Sequence, residues 1–252
     1  MNILDPTFSR TTRDDYTRIL QNIVGGFNVL VMKNADRVWK GLSSLPLESD
    51  VFSKNRSFDS GKLIQSLNTK ISLEEQVVIR RAIRFQSLMG VKLALSQAYK
   101  GKPHRGFGGE YINQGTFEVL AGVNVDLVKS IKQDQLKRLK LYLARFVGGG
   151  VLTWHQLKQH VKKLGNFSMK KAEQIARTEV IRTISTMQKE TLLMLGKKKW
   201  KWVTAYDDKV CQVCGPLEGK VVEIGKPFRT WRGEPVINSP VHPYCRCSQE
   251  VV

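Results

Sequence analysis

The first 210 residues of this 252-residue chain contain no cysteine, and all four cysteines lie between Cys211 and Cys247. A disulfide framework through the body of the protein is therefore excluded. The sequence also lacks a run of about 18 apolar residues, so we expect no membrane-spanning helix. Its start, MNILDPTFSRTTRDDY, lacks the apolar stretch of a signal peptide. We expect synthesis and folding in a reducing cytoplasm, where clustered cysteines favour a metal over disulfides.

Acidic residues are scarce, with 22 Asp and Glu against 41 Lys and Arg, and the formal net charge is +19. The excess is concentrated in residues 129–201, which hold 18 basic and 4 acidic residues, whereas residues 202–252 hold 6 of each. Such a field favours a polyanion, most simply nucleic acid, over an acidic protein, a membrane surface or a merely solvated face. The candidate DNA contacts are Lys137, Arg138, Lys140, Lys162, Lys163, Lys170, Lys171, Lys197, Lys198 and Lys199.

Apolar residues recur at helical spacing through most of residues 10–100, and Ser72 with Glu75 forms the pattern of a capping box. The glycine-rich stretch 99–115 predicts a loop or boundary. We divide the chain into an N-terminal helical region, 1–123, and a C-terminal domain, 124–252.

The C-terminal domain begins with three predicted helices. The first covers about 124–147 and stops at the glycines 148–150. The second, capped by Thr153, ends at Gly165. The third, capped by Ser168, ends at Gly196. Together the helices span 124–196.

Short strands are predicted after residue 196, in KWKWVTAY, GKVVEI and CRCSQEVV. They form a small β-rich module, 197–252, on a mostly helical body. The predicted fold class is α+β, with the module stapled by a metal.

Five potential metal ligands fall in this module: Cys211, Cys214, His242, Cys245 and Cys247. The spacing of Cys211 and Cys214 lets two thiolates reach one zinc ion, as in a zinc knuckle. The sequence does not choose four of the five. A structural Zn²⁺ is favoured over reduced core cysteines, two disulfides or a catalytic zinc, because so small a module needs a staple.

Glu179 falls on the apolar stripe of the long helix, with Ala172, Ala176, Thr183, Met187 and Met194. A carboxylate there needs a partner. The favoured interpretation is a buried ion pair; a catalytic acid or an exposed carboxylate are the alternatives.

Three motifs follow one another in order: IARTEV at 175–180, KKWKWVTAYDDKVCQVCGPLEGKV at 198–221, and PVHPYCRC at 240–247. Together they resemble the phage head morphogenesis, or Mu F-like minor head protein, family over roughly residues 134–250. One departure is Lys209, where the family often has arginine before the cysteines.

The resemblance implies a minor structural protein of a tailed-phage head, assembled in the host cytoplasm and held inside the capsid near the portal vertex. Implied partners are the portal protein, packaged double-stranded DNA, and a scaffold or major capsid protein, with no membrane and no small-molecule substrate. It also suggests Arg246, or else Arg177, as the partner of Glu179. If 245–247 is a strand, Arg246 leaves it opposite the two thiols, toward the helices.

We expect that the protein has this structural role and is not an enzyme. Two other functions are the alternatives. A zinc-supported nuclease needs a second His or carboxylate cluster, and His104, His155 and His160 have no adjacent carboxylate pair. A zinc-ribbon nucleic-acid regulator is disfavoured because the module is neutral.

Overall fold

The computed structural model describes residues 6–43, 60–100, 108–145, 154–208 and 210–252. Five α-helices are present in these ranges: α1 (Pro6–Ser43), α2 (Ser60–Gln65), α3 (Leu73–Ala98), α4 (Gln114–Ala144) and α5 (Trp154–Met194). Two 3-10 turns cover Gly109–Tyr111 and Gly215–Leu217. His104, glycines 148–150, the predicted cap Thr153 and Lys209 lie outside the described residues. No helix in the described ranges is long and apolar enough to cross a membrane.

Five short strands follow the helices: β1 (Lys199–Val203), β2 (Val221–Glu223), β3 (Phe228–Arg229), β4 (Pro235–Val236) and β5 (Ser248–Val251). β1 is central in an antiparallel three-stranded sheet of order β2-β1-β5, and β3 pairs with β4 in a hairpin. The predicted fold class, a mostly helical chain with a small C-terminal strand region, is confirmed.

The start of α3 is the predicted capping box. The Ser72 backbone N–H donates to Glu75 Oε2 at 2.8 Å, and the Glu75 N–H donates to Ser72 Oγ at 3.2 Å. Lys132 adds a salt bridge to Glu75 Oε1 at 2.8 Å, with its side chain only 6% exposed. Lys132 is therefore a structural cation within the basic segment.

The predicted break at Gly165 is wrong, because α5 continues through it and through Ser168. A Cβ on Gly165 would lie 2.4 Å from Asn28 Nδ2. This glycine therefore serves close packing and does not end the helix. The predicted end is correct: Gly196, at φ 70°, follows α5, and the Lys197 N–H donates to the Leu192 carbonyl at 3.0 Å.

The predicted start of the preceding helix near residue 124 is also wrong. α4 begins ten residues earlier, at Gln114. Asn113 Oδ1 accepts the Thr116 N–H at 3.0 Å, which is an N-cap contact. The predicted division between residues 123 and 124 falls inside α4 and stays a prediction.

The chain forms two compact units. One contains residues 20–75 and 126–173, and its core is built from α1, α2, α4 and α5 around Phe27, Leu63, Leu139 and Leu157. The other contains residues 1–19, 76–125 and 174–252. Its core includes the buried side chains Trp200, Trp202, Phe228 and Leu217 together with Ala94 and Leu192. This second unit holds the C-terminal sheet and all the candidate metal ligands.

Gly90 marks a close approach of α3 and α5 within that second unit. A Cβ built there would lie 2.3 Å from the Ile184 carbonyl oxygen and 2.9 Å from Met187 Cβ. Backbone cannot move aside as a flexible side chain can, so only glycine fits this crossing.

We predict that Gly90→Ala lowers the free energy of unfolding by about 1–3 kcal/mol, because the added methyl overpacks the crossing. Gly122→Ala is the matched control: it lies inside α4 with nothing within 4 Å of its Cβ, and it should be neutral or stabilising by up to about 1 kcal/mol. Urea denaturation of both variants measures the difference. Equal stabilities would mean that the two helices do not cross at Gly90.

Candidate metal centre

The first pair of cysteines sits in a tight turn after β1. The N–H groups of Cys214 and Gly215 donate to the Cys211 carbonyl at 3.1 and 2.9 Å, and the Cys214 N–H also lies 3.3 Å from Cys211 Sγ. Glu218 fixes the chain leading into this turn, since its two carboxylate oxygens accept the Thr204 N–H and the Tyr206 hydroxyl, both at 2.6 Å. The turn is therefore fixed by hydrogen bonds of the protein itself.

The second segment presents a histidine to the first. His242 Nδ1 lies 2.8 Å from the Pro243 carbonyl oxygen. A carbonyl can only accept, so Nδ1 carries the proton and Nε2 keeps its lone pair. Nε2 lies 3.0 Å from Cys211 Sγ and 3.5 Å from Cys214 Sγ. A ring held by its other nitrogen in this way is the usual arrangement of a metal-binding histidine.

The five predicted ligands form two overlapping triads. Cys211, Cys214 and His242 make one, and Cys214, Cys245 and Cys247 make the other; within each triad the ligand atoms lie within 4.8 Å of one another. Cys214 belongs to both, and its sulfur lies 3.9 Å from that of Cys245. Cys214, Cys245 and Cys247 are buried, whereas Cys211 is half-buried. The cluster can hold a metal ion, and four thiols with one imidazole are donors suited to zinc or another thiophilic ion.

The local environment shifts the pKa values of the four thiols in different directions. Hydrogen bonding with Cys214 and then with Cys247 lowers the pKa of Cys245 to about 2. The same contact with Cys245 raises the pKa of Cys214. At Cys211, burial raises the pKa, but hydrogen bonds involving Cys214 and Val213 outweigh it and leave the pKa lowered. The lowered pKa values of Cys245 and Cys211 favour thiolate, the form that binds metal, whereas the pKa of Cys247 is raised like that of Cys214.

The metal-ligand segments lie within a region that matches a known protein family. Residues 143–250 match the family model described as Phage Mu protein F like protein. Over these residues the chain is similar to that family. The match confirms the resemblance predicted from the three motifs. No curated protein and no solved structure matches the chain.

Two of the family motif residues in this Mu F-like region pair across the metal site. Arg246 donates from Nη2 to Asp207 Oδ1 at 2.6 Å and from Nη1 to Asp207 Oδ2, which makes a bidentate ion pair. Asp207 precedes the first cysteine pair and Arg246 separates the second. The pair therefore joins the two ligand-bearing segments at their exposed edge.

The predicted pairing of Arg246 with Glu179 is wrong. The reason is local: residues 245–247 are irregular and β5 begins only at Ser248, so Arg246 does not follow the alternation of a strand toward the helices. The alternative partner, Arg177, places its guanidinium 5.4 Å from the centre of the Tyr244 ring. Glu179 instead accepts a hydrogen bond from Arg182 Nε at 3.1 Å, three residues along the same helix.

Glu179 is buried, as the helical pattern predicts; Met194, predicted on the same stripe, is exposed. The Oε1 atom of Glu179 lies 3.1 Å from Arg182 Nε. The Oε2 atom of Glu179 is buried without a hydrogen-bond partner among the described residues. Burial raises the pKa of this carboxyl, although Arg182 opposes the shift. Burial and then the charge of Glu179 also raise the pKa of Tyr16, whose hydroxyl donates to Asn124 Oδ1 at 2.6 Å.

Most of the candidate DNA contacts are exposed, but Lys171 and Lys197 are half-buried. Seven of them lie in one compact unit and the run 197–199 lies in the other. Arg138 pairs with Asp134 at 3.1 Å, and its guanidinium lies 4.2 Å from the centre of the Phe167 ring. Lys171 lies 3.6 Å from Asp134.

Sequence reasoning missed the supporting groups Asp207 and Glu218 as side chains that organise the metal site. Asp207 could have been found from its place just before the first cysteine pair. Glu218 carried no comparable signal, because its contacts depend on the path of the chain after β1.

We predict that Glu179→Gln raises the free energy of unfolding by about 1 kcal/mol at pH 7. The folded carboxyl holds its proton more readily than the unfolded one, so its presence costs stability as pH rises above the ordinary carboxyl range. The amide keeps the acceptor for Arg182 without the buried charge. The difference should shrink as pH falls through the raised pKa of the folded carboxyl, and it should be gone below about 4.3, where the carboxyl is protonated in both states.

Urea denaturation across this pH range measures the effect, with Glu110→Gln on an exposed position as the control. A Glu179→Gln variant that is less stable than the parent at pH 7 would show that the charge itself is required.

Proposed function

We propose that this chain is a minor structural protein of a tailed-phage head, located inside the capsid near the portal and acting in head assembly. The family match over residues 143–250 is the observation that carries this proposal, because it indicates a phage head morphogenesis protein. The proposed partners are the portal protein, packaged double-stranded DNA, and a scaffold or major capsid protein.

The metal proposed for the cluster is a structural Zn²⁺. Four of the five donors would hold it, and it would supply a cross-link between the segment carrying Cys211 and the one carrying Cys245. The observations that support this are the thiol-rich donor set, the orientation of His242 by Pro243, and the burial of three of the four sulfurs.

The proposed DNA contact is non-specific and uses the basic segment 129–201. Its support is electrostatic: Lys137, Lys162, Lys163 and Lys170 are exposed on helices, where cations can follow a phosphate backbone.

A structural role is favoured over a zinc-supported nuclease. In the described residues, the groups of three or more potential metal ligands are the two triads that share Cys214. His155 Nε2 lies 2.6 Å from Gln159 Nε2, and His160 stacks on Tyr142 with ring centres 3.7 Å apart. Neither histidine is placed with a carboxylate pair of the kind a phosphodiester-cleaving site uses.

We predict about one Zn²⁺ per chain in protein purified under reducing conditions without added metal. Cys214→Ser should lose the ion because it breaks both triads, whereas Gln212→Ala, at an exposed position between the cysteines, should keep it. Elemental analysis measures the content. A folded protein with less than about 0.3 zinc per chain would contradict the proposal.

We predict that duplex DNA of random sequence binds with a log–log salt slope of about −0.9 for each phosphate neutralised. Replacing Lys162 and Lys163 together by glutamine should weaken binding to all sequences and make the slope shallower by about 2. Lys92→Gln, an exposed change outside the basic segment, is the control. Fluorescence anisotropy at several salt concentrations measures both quantities, and a flat salt response would overturn the DNA contact.

We predict that the protein in intact phage particles resists added protease and becomes sensitive once the heads are opened. The physical reason is that a closed shell excludes the protease from its interior. Immunoblotting of treated particles measures this, with a surface-exposed virion protein as the control. Digestion in intact particles would place the protein outside the shell.

A further inference from the structure

The hairpin β3–β4 carries a rigid tip at residues 230–234. The Thr230 N–H donates to the Glu234 carbonyl and the Gly233 N–H to the Thr230 carbonyl, both at 3.0 Å. Thr230 Oγ1 accepts the Glu234 N–H at 3.1 Å, and Gly233 takes φ 79° to close the turn. Arg229 Nη1 adds a bond to the Gly233 carbonyl at 3.1 Å. The tip is therefore fixed by its own hydrogen bonds.

Trp231 on this tip is not used to anchor the hairpin. Phe228 does that: it is 1% exposed, and its ring centre lies 5.2 Å from that of Trp202. Trp231 is 59% exposed. The Arg232 guanidinium lies 4.6 Å from the centre of the Trp231 ring, in a cation–π contact. An indole backed by a guanidinium is thus displayed to solvent on a rigid support.

The charge around this tip is positive, although residues 202–252 sum to zero. Residues 220–234 hold four cations, Lys220, Lys226, Arg229 and Arg232, against two carboxylates, Glu223 and Glu234. All four cations are exposed. Several acidic residues of the module are engaged elsewhere: Asp207 with Arg246, Glu250 with Lys201, and Glu218 with Tyr206. The net charge of residues 202–252 is zero because acidic residues elsewhere in the module offset the excess of cations in the hairpin.

We propose that the β3–β4 hairpin is a contact for single-stranded nucleic acid, in which a base stacks on Trp231 while the surrounding cations attract the phosphates. Aromatic faces interleaved with cations are the common means of binding single strands. A duplex offers the same phosphates but keeps its bases stacked on each other, so Trp231 gives the hairpin a preference for unpaired strands. This goes beyond the duplex contact proposed for the helices, and it uses different residues.

The alternative is that the exposed tryptophan and its neighbouring arginine insert into a pocket of a partner protein. The excess of cations around the tip favours a polyanion, because in a protein interface each of these positive charges would need a partner of its own. The two alternatives can be distinguished by experiment. If the partner is a nucleic acid, the purified protein alone should bind it, and that binding should depend on Trp231.

Fluorescence anisotropy with labelled oligo(dT) of about 20 nucleotides, and with a duplex of the same length, tests the proposal. Trp231→Ala should weaken binding to the single strand by about 5- to 150-fold, the range expected for losing one stacked base. Trp231→Phe keeps an aromatic face and should restore most of the affinity. Arg232→Gln should weaken single-strand binding and lower its salt dependence.

The duplex arm separates this inference from the helical DNA contact. Trp231→Ala should leave duplex affinity unchanged, whereas the Lys162 and Lys163 double variant should reduce it. Single-strand affinity that Trp231→Ala does not change would overturn the proposal and assign the tip to a protein pocket. Equal losses for single strand and duplex would also overturn it, because base stacking would then not be involved. Circular dichroism of each variant verifies that the hairpin change leaves the fold intact.

Discussion

Attachment of the small C-terminal sheet to the helices of its own unit is the constraint on which the metal site depends. The Gln249 carbonyl in β5 accepts hydrogen bonds from Gln188 Nε2 at 2.8 Å and Gln97 Nε2 at 3.2 Å. Gln249 Oε1 also accepts the Ser185 hydroxyl at 3.0 Å. The side chains of Gln188 and Gln249 are buried, where hydrogen bonds are costly to break. β5 follows directly after Cys247, so fixing β5 also fixes one end of the ligand set.

The module is held from several directions by different kinds of interaction. Trp200 and Trp202 alternate with lysines on β1 and fill the core around Phe228, while the Asp207–Arg246 pair closes the exposed edge. An ion bound by the cysteines would add a further cross-link in the same place. A sheet with three short strands has too small a core to fold alone, so these contacts supply what its size cannot.

Features with a local cause were predictable from the sequence, and features with a tertiary cause were not. The Ser72–Glu75 capping box and the clustering of the five metal ligands follow from spacing along the chain. The burial of Glu179 follows from helical periodicity. The partner of Arg246 could not be predicted, because it depends on irregular backbone at 245–247, where a strand was expected. The continuity of α5 through Gly165 depends on Asn28, which is distant in sequence.

The shared position of Cys214 has a consequence for how this module can diverge. An ion held by four of the five donors would leave one donor spare, so a lineage could lose His242 or Cys247 singly and still retain four ligands. Cys214 has no such freedom, because each triad contains it. Among related chains, substitutions should therefore accumulate at the outer members of the two triads while the cysteine they have in common stays fixed.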